Sequence, residues 1–67
     1  MIYVVARLKD GGEDTINHVD VARAAQDIRA LQGLAGNLTL ARVEADSKDE
    51  LAEFRDYCRN LPEPLKW

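Results

Sequence analysis

From Ile2 to Lys9 the chain alternates: Ile2, Val4, Ala6 and Leu8 share one side, and Tyr3, Val5, Arg7 and Lys9 the other. A period of two is that of a β-strand. Because the second side still carries Tyr3 and Val5, the pattern predicts a strand in the centre of a sheet. Asp10-Gly11-Gly12-Glu13 follows, and a Gly pair after Asp supplies the positive φ angles that tight hairpins need. Residues 14–19 are then expected to return as a second strand with Ile16 and His18 on one side, against the poor strand propensity of Asp14 and Asn17.

The period changes after Asp20, which has the chemistry of an N-cap. Val21, Ala24, Ala25, Ile28 and Leu31 recur as one face of a helix, with Arg23 and Asp27 an i, i+4 pair on the opposite side. Gly33 stands where a left-handed C′ residue would end that helix, and Leu34-Ala35-Gly36-Asn37 reads as a short connection. Alternation resumes from Leu38 to Ala45 and predicts a third strand with Thr39, Ala41, Val43 and Ala45 on one face. Ser47-Lys48-Asp49-Glu50 is a capping box, in which Ser47 accepts from the Glu50 amide and the Glu50 side chain reaches back to the Ser47 amide. Behind it Leu51, Phe54, Cys58 and Leu61 recur at i, i+3, i+7 and i+10, a second helix from about Lys48 to Asn60 that Pro62 and Pro64 stop.

The order is therefore β-β-α-β-α. A right-handed crossover from the second strand to the third, over the first, gives a three-stranded antiparallel sheet of order 2-1-3. With both helices on one face, the expected fold class is a two-layer α+β sandwich. It forms one domain over residues 1–67, in which residues 61–67 are an extended tail.

Length changes this picture by limiting it. A chain of 67 residues makes one domain, and such a domain buries only about 60% of its unfolded surface. Small domains often add a staple, and the single cysteine, Cys58, leaves neither an internal disulfide nor a Cys-rich zinc site. Good packing or self-association is the remaining support. A lone thiol also fits a reducing, cytoplasmic compartment. Met1-Ile2-Tyr3-Val4-Val5-Ala6-Arg7 has no basic leader before an apolar run, and no stretch reaches the length of a membrane span.

Nine basic against twelve acidic residues give a net charge of −3, a sign that opposes direct binding to a phosphate backbone. The acids are also patterned. Asp49, Glu53 and Asp56 fall at i, i+4 and i+7 on the outer face of the last helix, with Asp46 and Glu50 beside its start. Acids in a first turn complement the helix dipole, but Asp56 gains nothing that way. The ridge is expected either to be a solvated face or to dock a basic partner, such as a protein groove that normally holds nucleic acid. The tail Leu61–Trp67 is expected to fold back over the core or to reach a second chain. A twofold contact would use the second sheet face, so Tyr3, Val5, Leu40, Leu65 and Trp67 form the candidate contact set.

Catalytic signatures are weak. His18 and Asp20 lie two apart and would share a strand face, the start of a general-base arrangement; the plainer expectation is an exposed strand-end histidine. Cys58 lies on the apolar stripe of its helix and is expected to be buried. Gly33-Leu34-Ala35-Gly36 resembles the GXXG loop of KH domains in spacing, yet it joins a helix to a strand and contains no Lys or Arg. No cofactor motif or metal-ligand spacing is present. The leading expectation is a small acidic, non-enzymatic protein-binding module, an adaptor or inhibitor of a larger partner. In size, acidity and layout it resembles small phage-encoded inhibitors of host machinery, anti-CRISPR proteins among them. The alternatives are a structural homodimer using the free sheet face, and a small enzyme whose site, built on His18 with Arg7 or Arg42, is completed across a dimer.

Overall fold

The computed structural model describes residues 1–33 and 38–67. The connection expected at residues 34–37, and with it most of the Gly33–Gly36 step, lies outside the described residues. The elements run β1 (Ile2–Leu8), β2 (Glu13–His18), α1 (Val21–Gly33), β3 (Leu38–Ala45) and α2 (Lys48–Arg59). The sheet order is β2-β1-β3, and β1 is antiparallel to both neighbours, so the chain has the α+β architecture its periodicities predict.

A three-residue loop closes the hairpin. The Leu8 amide donates to the Gly12 carbonyl at 2.7 Å and the Gly11 amide to the Leu8 carbonyl at 3.0 Å. Gly11 takes φ +94°, a conformation that costs an L side chain strain and costs Gly none. The Asp10 carboxylate accepts from the Gly12 amide at 2.8 Å, the local side-chain bond that suits Asp to turns. The return strand starts and ends one residue earlier than the alternation suggests, at Glu13 and His18.

Both helices begin on their expected caps. The Asp20 carboxylate accepts from the Ala22 amide at 2.9 Å, and the Ser47 hydroxyl accepts from the Glu50 amide at 3.1 Å. The reciprocal half of the capping box is displaced by one residue, because the Glu50 carboxylate accepts from the Asp46 amide at 3.2 Å instead of that of Ser47. At the other end of α1, Gly33 is the last helical residue and does not adopt positive φ. The left-handed cap expected there is not formed.

One core cluster joins Ile2, Val4, Ala6 and Val43 of the sheet to Ala24, Ala25, Ile28 and Leu31 of α1, Phe54 and Cys58 of α2, and Leu65 of the tail. The register corrects the third strand. Arg42 stands opposite Val5, but Leu40, two residues earlier, stands opposite Ala6, so Ala41 is an extra residue, a β-bulge. A one-residue slip reverses every side chain beyond it. Leu38 and Leu40 therefore share the core side with Val43 and Ala45, and Thr39, which alternation groups with Val43, goes to the opposite side.

The tail turns back along the helices. The Leu65 amide donates to the Cys58 carbonyl at 3.0 Å. The Arg29 guanidinium and the Gln32 amide of α1 donate to the Glu63 and Lys66 carbonyls at 2.6 and 2.7 Å. Leu65 is buried, and Trp67 packs on Phe54 with ring centroids 5.8 Å apart.

Candidate functional site

The outer face of α2 carries the acidic ridge. The helix period brings Asp49, Glu53 and Asp56 to one exposed side, and none of the three makes an ion pair among the described residues. The two acids at its start are engaged otherwise. Asp46 accepts from the Tyr3 hydroxyl, and the Met1 amino group contacts both Asp46 and Glu50. The Tyr3 hydroxyl and then the Met1 ammonium hold the Asp46 carboxyl below the usual carboxylate range. The same hydrogen bond holds the Tyr3 phenol above its ordinary value. Beside the ridge, the Arg55 guanidinium lies over the Trp67 ring, 4.4 Å from its centre, a cation–π contact that draws the cation toward the tail.

The side of the sheet away from the core cluster is polar and internally paired. Tyr3, Val5 and Arg7 face that way with Glu13, Thr15 and Asn17 of β2 and Thr39, Arg42 and Glu44 of β3. Arg42 crosses β1 to bond both oxygens of Glu13 at 2.9 and 3.0 Å, and its Nε bonds Glu44 at 2.7 Å. Arg7 reaches Glu13 at 3.5 Å. Arg42 starts opposite Val5 and its guanidinium ends on the far strand, and Val5 between them is 1% exposed. The contact set expected from the sequence is thus dispersed. Val5 is covered, Leu40 is on the core side, Leu65 is buried in its own chain and Trp67 packs against the core; Tyr3 is half-buried and bonded to Asp46.

The Arg42 guanidinium, then that of Arg7, holds the Glu13 carboxyl below its usual range. Glu13 and Asp46 both have depressed folded-state values. Each therefore contributes stability that is present above the ordinary carboxylate pKa and lost as pH falls through the folded value. The urea midpoint is expected to drop on acidification below about pH 4, less steeply in Arg42→Ala, and less steeply in high salt because these groups are exposed. Urea titrations at a series of pH values check this, and an Arg42→Ala acid limb as steep as that of the wild type would refute it.

His18 meets a carboxylate, but not that of Asp20, which is occupied as the cap of α1. Its Nε2 lies 3.1 Å from Asp27 Oδ2, one turn and more along the helix. This pair borders an open groove between β2 and α1 whose lining, Ile16 to Asp20 with Arg23, Gln26 and Asp27, includes no hydroxyl or thiol side chain. His18 sits opposite Ile2 on the helix side of the sheet, whereas Arg7 and Arg42 project from the other. Within one chain the three do not meet. Cys58 is fully buried, and burial pushes its thiol up. A nucleophile needs the opposite shift. Among the described residues no group of His, Cys, Asp and Glu is placed to hold a metal ion, and no helix is long and apolar enough to cross a membrane. No protein-family model, curated protein or solved structure matches this chain.

Proposed function

We propose that this chain is a non-catalytic protein-binding module, an adaptor or inhibitor that docks α2 against a basic surface of a larger partner. The observation that carries this reading is the state of Asp49, Glu53 and Asp56. They form an exposed row on one helix face, diluted by Lys48 and Arg55, and make no ion pair among the described residues, while Glu13, Asp27, Glu44 and Glu63 are matched to Arg or His within the chain. Asp49 is in the first turn, where the helix dipole favours it, but Glu53 repels it at i, i+4 and Asp56 stands near the other end, so these two gain from positive charge outside the helix. Such a row steers encounter and sets the salt dependence of binding. A groove lined by Lys and Arg that otherwise holds nucleic acid has the matching chemistry, consistent with the resemblance in size, acidity and layout to phage-encoded inhibitors. The unpaired, buried Cys58 fits a reducing cytoplasmic setting.

The test compares immobilised wild type with Asp49→Lys/Glu53→Lys/Asp56→Lys as baits for host lysate, with circular dichroism showing that both are folded. The wild type is expected to retain basic, nucleic-acid-binding proteins that heparin or raised salt elutes, and the triple variant to lose them. Equal recovery by the two baits would remove the ridge from the function.

A further inference from the structure

The two ends of the sheet are not alike. The β3 edge is interrupted by the bulge at Ala41 and flanked by Trp67 and the end of α1, devices that discourage another strand from adding on. The β2 edge has none of these. It runs Glu13-Asp14-Thr15-Ile16-Asn17-His18 without Gly or Pro, in unbroken register with β1. The Leu8–Gly12 bond sets the phase of that ladder. Counting in steps of two, Asp14, Ile16 and His18 spend their backbone groups on β1, and Glu13, Thr15 and Asn17 turn theirs outward. Apolar surface gathers at the same edge. Ile16 is 42% exposed, Val19 84% and Val21 40%, three of the four exposed large hydrophobic residues among the described ones.

We propose that the outer edge of β2 pairs with the same edge of a second copy of this chain, antiparallel about a twofold axis at Ile16, giving one six-stranded sheet. A second copy is the occupant because this strand is complementary to itself in that register. Thr15 comes opposite the partner's Asn17, each with its amide and carbonyl already facing outward. Ile16 meets the partner's Ile16 across the axis, on the helix side, where the groove beside α1 is open. Asp14, which makes no ion pair among the described residues, comes opposite the partner's His18, whose ring stays bonded to Asp27 of its own chain, so no acid faces another acid beside the apolar centre. Moving the axis to Thr15 would set Ile16 against the partner's Asp14 and lose the apolar centre; register follows side-chain pairing. The isologous contact closes after two chains. It also leaves α2, which packs beside β3 at the far end of the sheet, free for the partner proposed above.

Sedimentation equilibrium from micromolar to millimolar concentration tests it. Wild type is expected to reach twice the mass of the chain. Thr15→Pro removes an amide that only the second copy would use, a substitution edge strands tolerate on their solvent side. Ile16→Lys sets two ammonium groups face to face across the axis. Each is expected to weaken the dimer by at least about tenfold, with the far-UV spectrum unchanged, while the α2 triple variant leaves dimerisation as in wild type. A wild type that stays monomeric at the highest concentration overturns the proposal. So does a dimer indifferent to both β2 variants. Should Thr15→Pro fail to fold, Ile16→Lys, at an already exposed position, decides alone.

Discussion

Phe54→Ala is expected to remove about a third or more of the stability of the domain and to bring it close to unfolding at room temperature. Phe54 is 2% exposed, lies in the cluster that joins the sheet, both helices and the tail, stacks on Tyr57 at 6.3 Å and meets the Trp67 ring at a tilt at 5.8 Å. Removing a buried phenyl ring costs about 3–5 kcal/mol through lost transfer energy and the cavity left behind. At roughly 0.05–0.15 kcal/mol per residue, a domain of 67 residues has only about 3–10 kcal/mol in total. The single cysteine is free, so no cross-link restrains the unfolded chain. Phe54→Leu keeps most of the volume and is expected to fold with a lowered urea midpoint. Val19→Ala, at a position 84% exposed, is expected to change stability by less than about 0.5 kcal/mol. Far-UV circular dichroism and urea melts of the three variants check the ranking, and a Phe54→Ala protein with a near-native midpoint would show that the core does not depend on this ring.

The contrast between Phe54 and Val19 marks where periodicity informs and where it stops. Helix stripes and caps are local facts, set within about ten residues, and Ala24, Ile28, Phe54 and Cys58 are buried as their spacing requires. Central placement of β1 was legible for the same reason, since both its faces carry apolar side chains. Which side of β3 faces the core was not, because a bulge belongs to a pair of strands rather than to one. Its trace is nevertheless in the sequence. Leu38 and Leu40 are in phase with each other and out of phase with Val43, and one extra residue between them reconciles the two halves.

Electrostatic partners were the least legible, because long side chains choose among neighbours that only the fold brings close. Sequence proximity offers Asp20 to His18, yet the carboxylate that reaches it is Asp27, while Asp20 turns to the amides of α1. The same holds for Arg42, whose reach to Glu13 depends on β1 lying between β3 and β2. One consequence is functional. The sheet side away from the core cluster carries the Arg42, Arg7, Glu13 and Glu44 ion pairs instead of an apolar plate, and three of the four exposed large hydrophobic residues among the described ones lie at or beside the β2 edge. The shared face of Asp49, Glu53 and Asp56 on α2 was legible because their spacing is intrahelical, whereas the engagement of Asp46 and Glu50 by Tyr3 and Met1 became visible only with the fold.

The tail is expected to unfold with the domain and not before it. Its hold on the body is distributed: the Leu65 side chain is in the core, its amide is bonded to the Cys58 carbonyl, and α1 grips the Glu63 and Lys66 carbonyls through Arg29 and Gln32. Trp67, the one tryptophan of the chain, reports this directly, since its ring lies between Phe54 and Arg55 and its indole N–H is buried with no hydrogen-bond partner. Urea transitions followed by Trp67 fluorescence and by far-UV circular dichroism are expected to coincide, as two-state unfolding requires. Leu65→Ala should move both together to lower urea, by about 2–5 kcal/mol, enough to unfold a large share of molecules in a domain this small. A detachable tail would give another pattern: fluorescence changing first, with the circular dichroism midpoint of Leu65→Ala close to that of wild type. Coincident displacement of the two probes means that the last residues complete the core, and that Leu65 and Trp67 are spent on the fold rather than held for a second chain.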